Sequence, residues 1–235
     1  LPPFGIVFSA GLGILCGLAS GLLTLMVYSS EDLFQRLPIH WMWWPAIGGA
    51  VVGVGGLIEP HALGVGYENI AALLHGDLGT IAVVRLVVVK ALIWSIVLGS
   101  GTSGGVLAPL LIIGGALGAL FGSVMPIGDA ALWALIGMAA MMGGTMRSPL
   151  TAIVFAVELT HNFGALLPLA IACALAHATT VLLLRRSILT EKVARRGHHV
   201  MREYIVDPFE TVRVAEIMTK AVDTLPGETS IEQVI

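Results

Sequence analysis

The sequence predicts an all-α polytopic membrane protein, and three observations predict it. Of its 235 residues, 57% are hydrophobic and only 11% charged, with a mean hydropathy of +0.93. A soluble domain averages about 25% charged residues. Apolar runs of membrane-spanning length, about 20 residues, recur along the chain. Many of its 29 glycines fall at four-residue spacing, the small-residue stripe that lets helices in a bilayer approach closely. The net charge of −3 says little about partners, and no basic patch with interleaved aromatics points to nucleic acid.

Gly5 to Tyr28 is a charge-free run, with Gly13, Gly17 and Gly21 on one helical face for a close neighbour. The helix turns amphipathic through Glu31, Asp32 and Arg36. Trp41, Trp43 and Trp44 follow, where an interfacial aromatic belt is expected. Trp43 to Ile58 makes a second span, short and glycine-rich. Glu59 to Gly79 is polar enough for an interface, with a short helix over Tyr67 to His75. Thr80 to Leu98 is the third span. Its valine-rich part resembles a buried strand, but no alternating or βαβ pattern surrounds it, which favours a helix. Arg85 and Lys90 lie within it, and a charge at membrane depth faces protein or water. Either they snorkel or pair, or they draw anions toward the loop that follows.

That loop and its helix, Gly99 to Gly122, lie in a stretch with no charged residue between Lys90 and Asp129. Gly101, Gly104 and Gly105 permit unusual backbone and close approach. Pro109 sits in the first turn of the next helix, where proline is tolerated. Three readings of the loop compete. G-x-G-x-x-G at Gly99, Gly101 and Gly104 matches a dinucleotide fingerprint, yet no acid follows at about 20 residues. The P-loop glycines are present, yet Gly105 and Val106 stand where Lys and Ser/Thr belong. The third reading is a bare amide cradle within a membrane. The amides near Gly105, Val106 and Leu107 would point out of a helix start carrying partial positive charge, an anion site made of backbone. Composition favours this third reading. Gly114, Gly118 and Gly122 form a second close-packing stripe.

Ala130 to Met146 is another apolar helix, its methionines suited to packing rather than to a metal. Gly143 and Gly144 are expected to break it. Arg147 is placed to anchor a loop, and Ser148 and Pro149 read as an N-cap and a first helical proline opening PLTAIVFAVELT. Glu158 there makes a structural hydrogen bond near the helix end or serves as a proton or ion ligand. Leu166 to Leu184 is the last span. The basic residues after it, Arg185, Arg186, Lys192, Arg195 and Arg196, put this end in the cytoplasm. A short helix is expected over Ile188 to Arg196, with His198 and His199 in a solvated turn. Cys16 and Cys173, both in apolar runs, read as structural thiols. No metal site is indicated. Residues 201–235 turn polar and read as strand, turn and a helix start near Thr229 or Ser230. The opening LPPFG and the closing SIEQVI suggest that both ends are truncated, and the first run lacks the basic flank and cleavage site of a signal peptide.

Three blocks in order now carry a family resemblance: GSGTSGGVLAP, GMAAMMGGTMRSPLTAIVFAVELT and RRSILTEKVARRG. The sequence resembles the C-terminal half of a CLC chloride channel or chloride/proton antiporter, over essentially the whole chain. The first block is similar to the family's GGxFAP anion loop, with Leu107 in place of phenylalanine. The third is similar to the closing helix that approaches the pore from below. The tail resembles the opening of a CBS domain.

The resemblance implies tilted and partial helices of one CLC inverted repeat, with a truncated α/β CBS start. It divides the chain into a transmembrane part over 1–200, a cytoplasmic linker over 201–212 and the CBS start over 213–235. It implies transport of chloride or a similar small anion, by a channel or an H+/Cl− exchanger and not an enzyme. Gly105, Val106 and Leu107 would bind the anion, supported by Gly101, Gly104, Pro109, Ser148 and Pro149. Leu189 takes the place of the family's tyrosine ligand and offers no hydroxyl. The family's serine and gating-glutamate loops lie in a first half that this chain lacks and would need for a pore. The resemblance further implies a homodimer through the helices at 149–160 and 166–184, no cofactor apart from a nucleotide at a complete CBS pair, and a bacterial or archaeal plasma membrane. The alternative of a different class is a non-transporting membrane scaffold that dimerises and anchors regulatory CBS domains.

Overall fold

A computed structural model describes residues 3–125, 127–184 and 187–188. Eight α-helices order these residues: α1 (Pro3–Gln35), α2 (Trp44–Ile58), α3 (Tyr67–His75), α4 (Thr80–Gly99), α5 (Leu107–Val124), α6 (Ala130–Met146), α7 (Pro149–Thr160) and α8 (Leu166–Leu183). There is no strand among the described residues. Of the expected helix at 188–196 only Ile188 is described, and it is helical; the rest of that helix, the histidine turn and the CBS start lie outside the described residues.

Helix lengths differ as the sequence indicates. At 33 residues, α1 extends roughly 50 Å, well past the roughly 30 Å of a hydrocarbon core; its last turns carry Glu31 and Asp32, and Arg36 follows directly. By contrast α3 has 9 residues and α7 has 12, too short to cross. Among the described residues, five helical stretches are long and apolar enough to span, those built on α1, α2, α4, α5 and α8. After α1 the chain turns through Trp41–Trp43, whose two indoles stand exposed, while Trp44 packs its ring 6.1 Å from that of Phe34.

At the centre lies α6, buried along nearly its whole length, with α1, α5, α7 and α8 packed around it. Bare backbone makes the closest contacts. A Cβ on Gly13 would stand 2.5 Å from the Ala172 carbonyl of α8, and one on Gly17 would strike Thr179 and Ala176. On the other side, a Cβ on Gly114 would lie 2.5 Å from the Gly137 carbonyl of α6, while Gly118 and Gly122 abut Trp133. Both predicted glycine stripes therefore have a partner, although Gly21 sits more loosely, 3.9 Å from Leu183. Among apolar helices such contact supplies dispersion where the hydrophobic effect supplies little. A buried Ser20–Thr145 hydroxyl pair at 2.7 Å adds a polar link between α1 and α6. Cys16 and Cys173 are free thiols at 0% exposure, and Met138, Met141 and Met142 are buried.

Two sequence expectations give way here. Gly143 and Gly144 do not break α6; both lie within it, Gly143 against Pro149, Ala152 and Cys173, Gly144 against Thr180 and Ala176. They are small because neighbours are close. The helix ends instead at Arg147, a non-glycine residue in the left-handed region (φ 57°). Its guanidinium donates to the Leu184 carbonyl at the end of α8, so Arg147 does anchor the turn. Ser148 occupies the N-cap position of α7, but its hydroxyl makes no capping bond and its backbone (φ −127°, ψ 70°) belongs to the turn. Pro149 is the first helical residue, as expected.

Lys90 is buried at 4% exposure and donates to the carbonyls of Ala62 at 2.8 Å and Gly64 at 2.9 Å. This tethers the α2–α3 connection to α4, where Asn69 also donates to the His61 carbonyl and His61 pairs with Glu59 at 2.7 Å. Arg85, in contrast, is exposed. Glu158 is exposed on α7 and has no hydrogen-bond partner among the described residues.

Candidate functional site

The glycine loop joins the end of α4 to the start of α5, and side chains hold it at both ends. At its base, the hydroxyls of Ser100 and Thr102 both donate to the Val97 carbonyl, at 2.7 and 2.6 Å. Gly101 turns the chain there in the left-handed region (φ 82°), which glycine adopts without steric cost. Gly104 and Gly105 have no positive φ. A Cβ on Gly105 would meet nothing within 4 Å, so the space in front of it is clear. At the far end, the Trp94 indole N–H donates to the Gly105 carbonyl at 3.1 Å.

The helix start is open as expected. Val106 is the N-cap residue, and the Leu110 amide closes the first turn onto the Val106 carbonyl at 3.3 Å. The amides of Leu107 and Ala108 thus have no intrahelical acceptor, and Pro109 has no N–H to place. Helix α5 carries no charged side chain, so the partial positive charge of its N-terminus is not offset from within. Val106 packs beside a buried cluster of Tyr28, Trp94, Leu110, Ile113, Met141 and Ile188. The base of the loop meets α1 directly: a Cβ on Gly99 would lie 2.6 Å from Ser30 and 2.8 Å from the Glu31 amide.

The structure therefore brings Gly101, Gly104, Gly105, Val106, Leu107 and Pro109 into one loop and helix start. Ser148 and Pro149 open a different helix, which packs on α6 and α8. Leu189 lies outside the described residues, but the preceding Ile188 joins the same cluster as Val106. Sequence reasoning passed over Trp94 and Tyr28, the two aromatics that fasten these segments. A signal for Trp94 existed: a tryptophan in an apolar helix needs an acceptor for its N–H, and a carbonyl-rich loop begins five residues on.

Residues 1–181 match the sequence profile of the family described as voltage gated chloride channel. The chain belongs to this CLC family. It is 32% identical over 174 residues to the H+/Cl− exchange transporter ClcA of Klebsiella pneumoniae strain 342, across 69% of this chain and 36% of that protein. This CLC chain thus spans about a third of the length of the curated relatives it matches. Among solved structures it is similar to a slow cyanobacterial Cl−/H+ antiporter, with a TM-score of 0.71 and 27% identity over 83% of this chain and 48% of that one. A eukaryotic CLC transporter shares the fold at a TM-score of 0.69 and 22% identity, over 83% of this chain and 36% of the other. These CLC relatives are named as transporters, not enzymes. Membership of the family and the five long apolar helices make the chain an integral membrane protein.

Proposed function

We propose that this CLC chain supplies the backbone-amide side of a pathway carrying chloride, or a similar small anion, across the membrane. The observation that carries the proposal is the loop at α5. The hydroxyls of Ser100 and Thr102 and the Gly105 carbonyl are bonded to the protein, while the amides of Leu107 and Ala108 are left without an intrahelical acceptor. An anion rests on the N–H groups of Val106 and Leu107, approached past Gly105, where no side chain intervenes. Fixed dipoles act most strongly on a negative charge where water is excluded.

The names of the relatives favour exchange with protons over passive conduction. Leu189 stands at the inner side of the anion as an apolar gate, the basic end after α8 faces the cytoplasm of a bacterial or archaeal cell, and residues 213–235 begin a CBS domain. Exposed apolar residues on α7 and at the start of α8, among them Leu150, Val154, Leu166 and Leu167, form the homodimer face.

The test is efflux from proteoliposomes holding the whole protein as its gene encodes it, with chloride and external pH recorded together. Chloride efflux that drives protons uphill is expected. Chloride flux without proton movement would make the protein a channel, and no flux of any halide would overturn the proposal in favour of a membrane scaffold.

A further inference from the structure

We infer that Trp94 is a positioning residue for the anion: its indole N–H holds the Gly105 carbonyl so that the amide of the same peptide unit, that of Val106, is aimed into the site. The inference rests on the reading of Val106 and Leu107 as the anion seat. The geometry behind it is simple. The described peptide bonds are all trans, and in a trans peptide the C=O and N–H point in opposite directions within one plane. The Gly105 oxygen is drawn toward α4 by a 3.1 Å bond from Trp94 Nε1, so the Val106 N–H must point away from α4, out of the loop. The same bond keeps a carbonyl dipole, repulsive toward an anion, turned from the seat.

The holder itself is rigid. Trp94 is 7% exposed and packs in the cluster with Tyr28, Leu110 and Ile113. Its helix is locked four to five residues on by the contact of Gly99 with the Ser30–Glu31 backbone. The loop, in contrast, needs such a holder. Gly104 and Gly105 have no side chain to fix the peptide between them and Val106, and glycine is the residue whose backbone is freest to rotate. A peptide left free would sample orientations with the oxygen facing the anion, and preorganised donors bind better than ones that must be ordered at the moment of binding.

The test replaces Trp94 with benzothienylalanine, which keeps the bicyclic shape and exchanges the N–H for sulfur, and separately uses Trp94→Phe. The whole protein in detergent is titrated with bromide by calorimetry, and bromide is located crystallographically by its anomalous signal. Wild-type protein is expected to hold bromide at the Val106 and Leu107 amides, and the benzothienyl variant to bind it about three- to tenfold more weakly, the range expected for a lost neutral donor. Trp94→Phe, which also opens space, is expected to weaken it at least as much. A role confined to fastening the loop would lower the melting temperature of the anion-free protein and leave bromide affinity at the wild-type level; that result would overturn the inference while leaving the anion seat standing. Bromide located elsewhere in wild-type protein would overturn the seat and the role of Trp94 together.

Discussion

The hydroxyl of Tyr28 on α1 donates to the backbone carbonyl of Ile188, 160 residues further along the chain. With the Arg147 guanidinium on the Leu184 carbonyl, it ties down the chain just after α8. The Leu184 acceptor is a main-chain carbonyl just past the end of α8, a group that a membrane protein must satisfy from within.

Tyr28→Phe removes the donor and keeps the ring. A lost hydrogen bond of this kind costs about 0.5–1.5 kcal/mol, so the melting temperature in detergent is expected to fall and the amides following α8 to exchange faster with deuterium. Unaltered exchange there would show that packing alone holds the segment.

Lys90→Met keeps the length of the side chain and strands the carbonyls of Ala62 and Gly64. Hydrogen bonds to a charged group are worth about 1.5–3 kcal/mol, and the loss is expected to appear in an SDS unfolding titration together with loosening of residues 60–66. Arg85→Gln, five residues earlier and exposed, should change stability by less than about 0.5 kcal/mol. Equal effects of the two substitutions would refute the tether.

Gly114→Val forces side-chain atoms into a gap that a single Cβ already fills to 2.5 Å of the Gly137 carbonyl. Overpacking of this sort costs about 1–3 kcal/mol. Gly49→Ala, on the open side of α2 where a Cβ meets nothing within 4 Å, is the matched control. It should hold or raise stability, since alanine favours a helix by roughly 0.5–1 kcal/mol over glycine.

Leu189→Tyr supplies the hydroxyl that the family resemblance places at this position. Given an anion at Val106 and Leu107, one added donor is expected to tighten bromide binding about two- to tenfold. Unchanged affinity would count against the alignment of Leu189.

Much of this fold could be read from local chemistry. The bounds of α3 follow from Gly66 and Gly76, both in the left-handed region on either side of it, and the start of α7 from Pro149. The glycine loop was legible because charge is absent for many residues around it. The misreadings have a common cause in that a glycine has two uses. Gly143 and Gly144 looked like a helix break, yet neighbouring helices, invisible in a local window, required small residues there, and the turn fell to Arg147. Trp94 and Tyr28 were missed for a related reason. Their acceptors lie 11 and 160 residues away, so only the assembled helices disclose them.

The glycine seam between α5 and α6 has a mechanical consequence. With main chain close against main chain at Gly114, Gly118 and Gly137, these points of the seam leave little slack, and a roll of α5 about its axis would press on α6. A turn of α5 by even a small angle would swing its first amides off their target. The close seam resists that turn and so keeps the amide end of α5 fixed relative to α6. On the proposed reading, a conformational change that carries an anion across would then fall to parts other than this helix start.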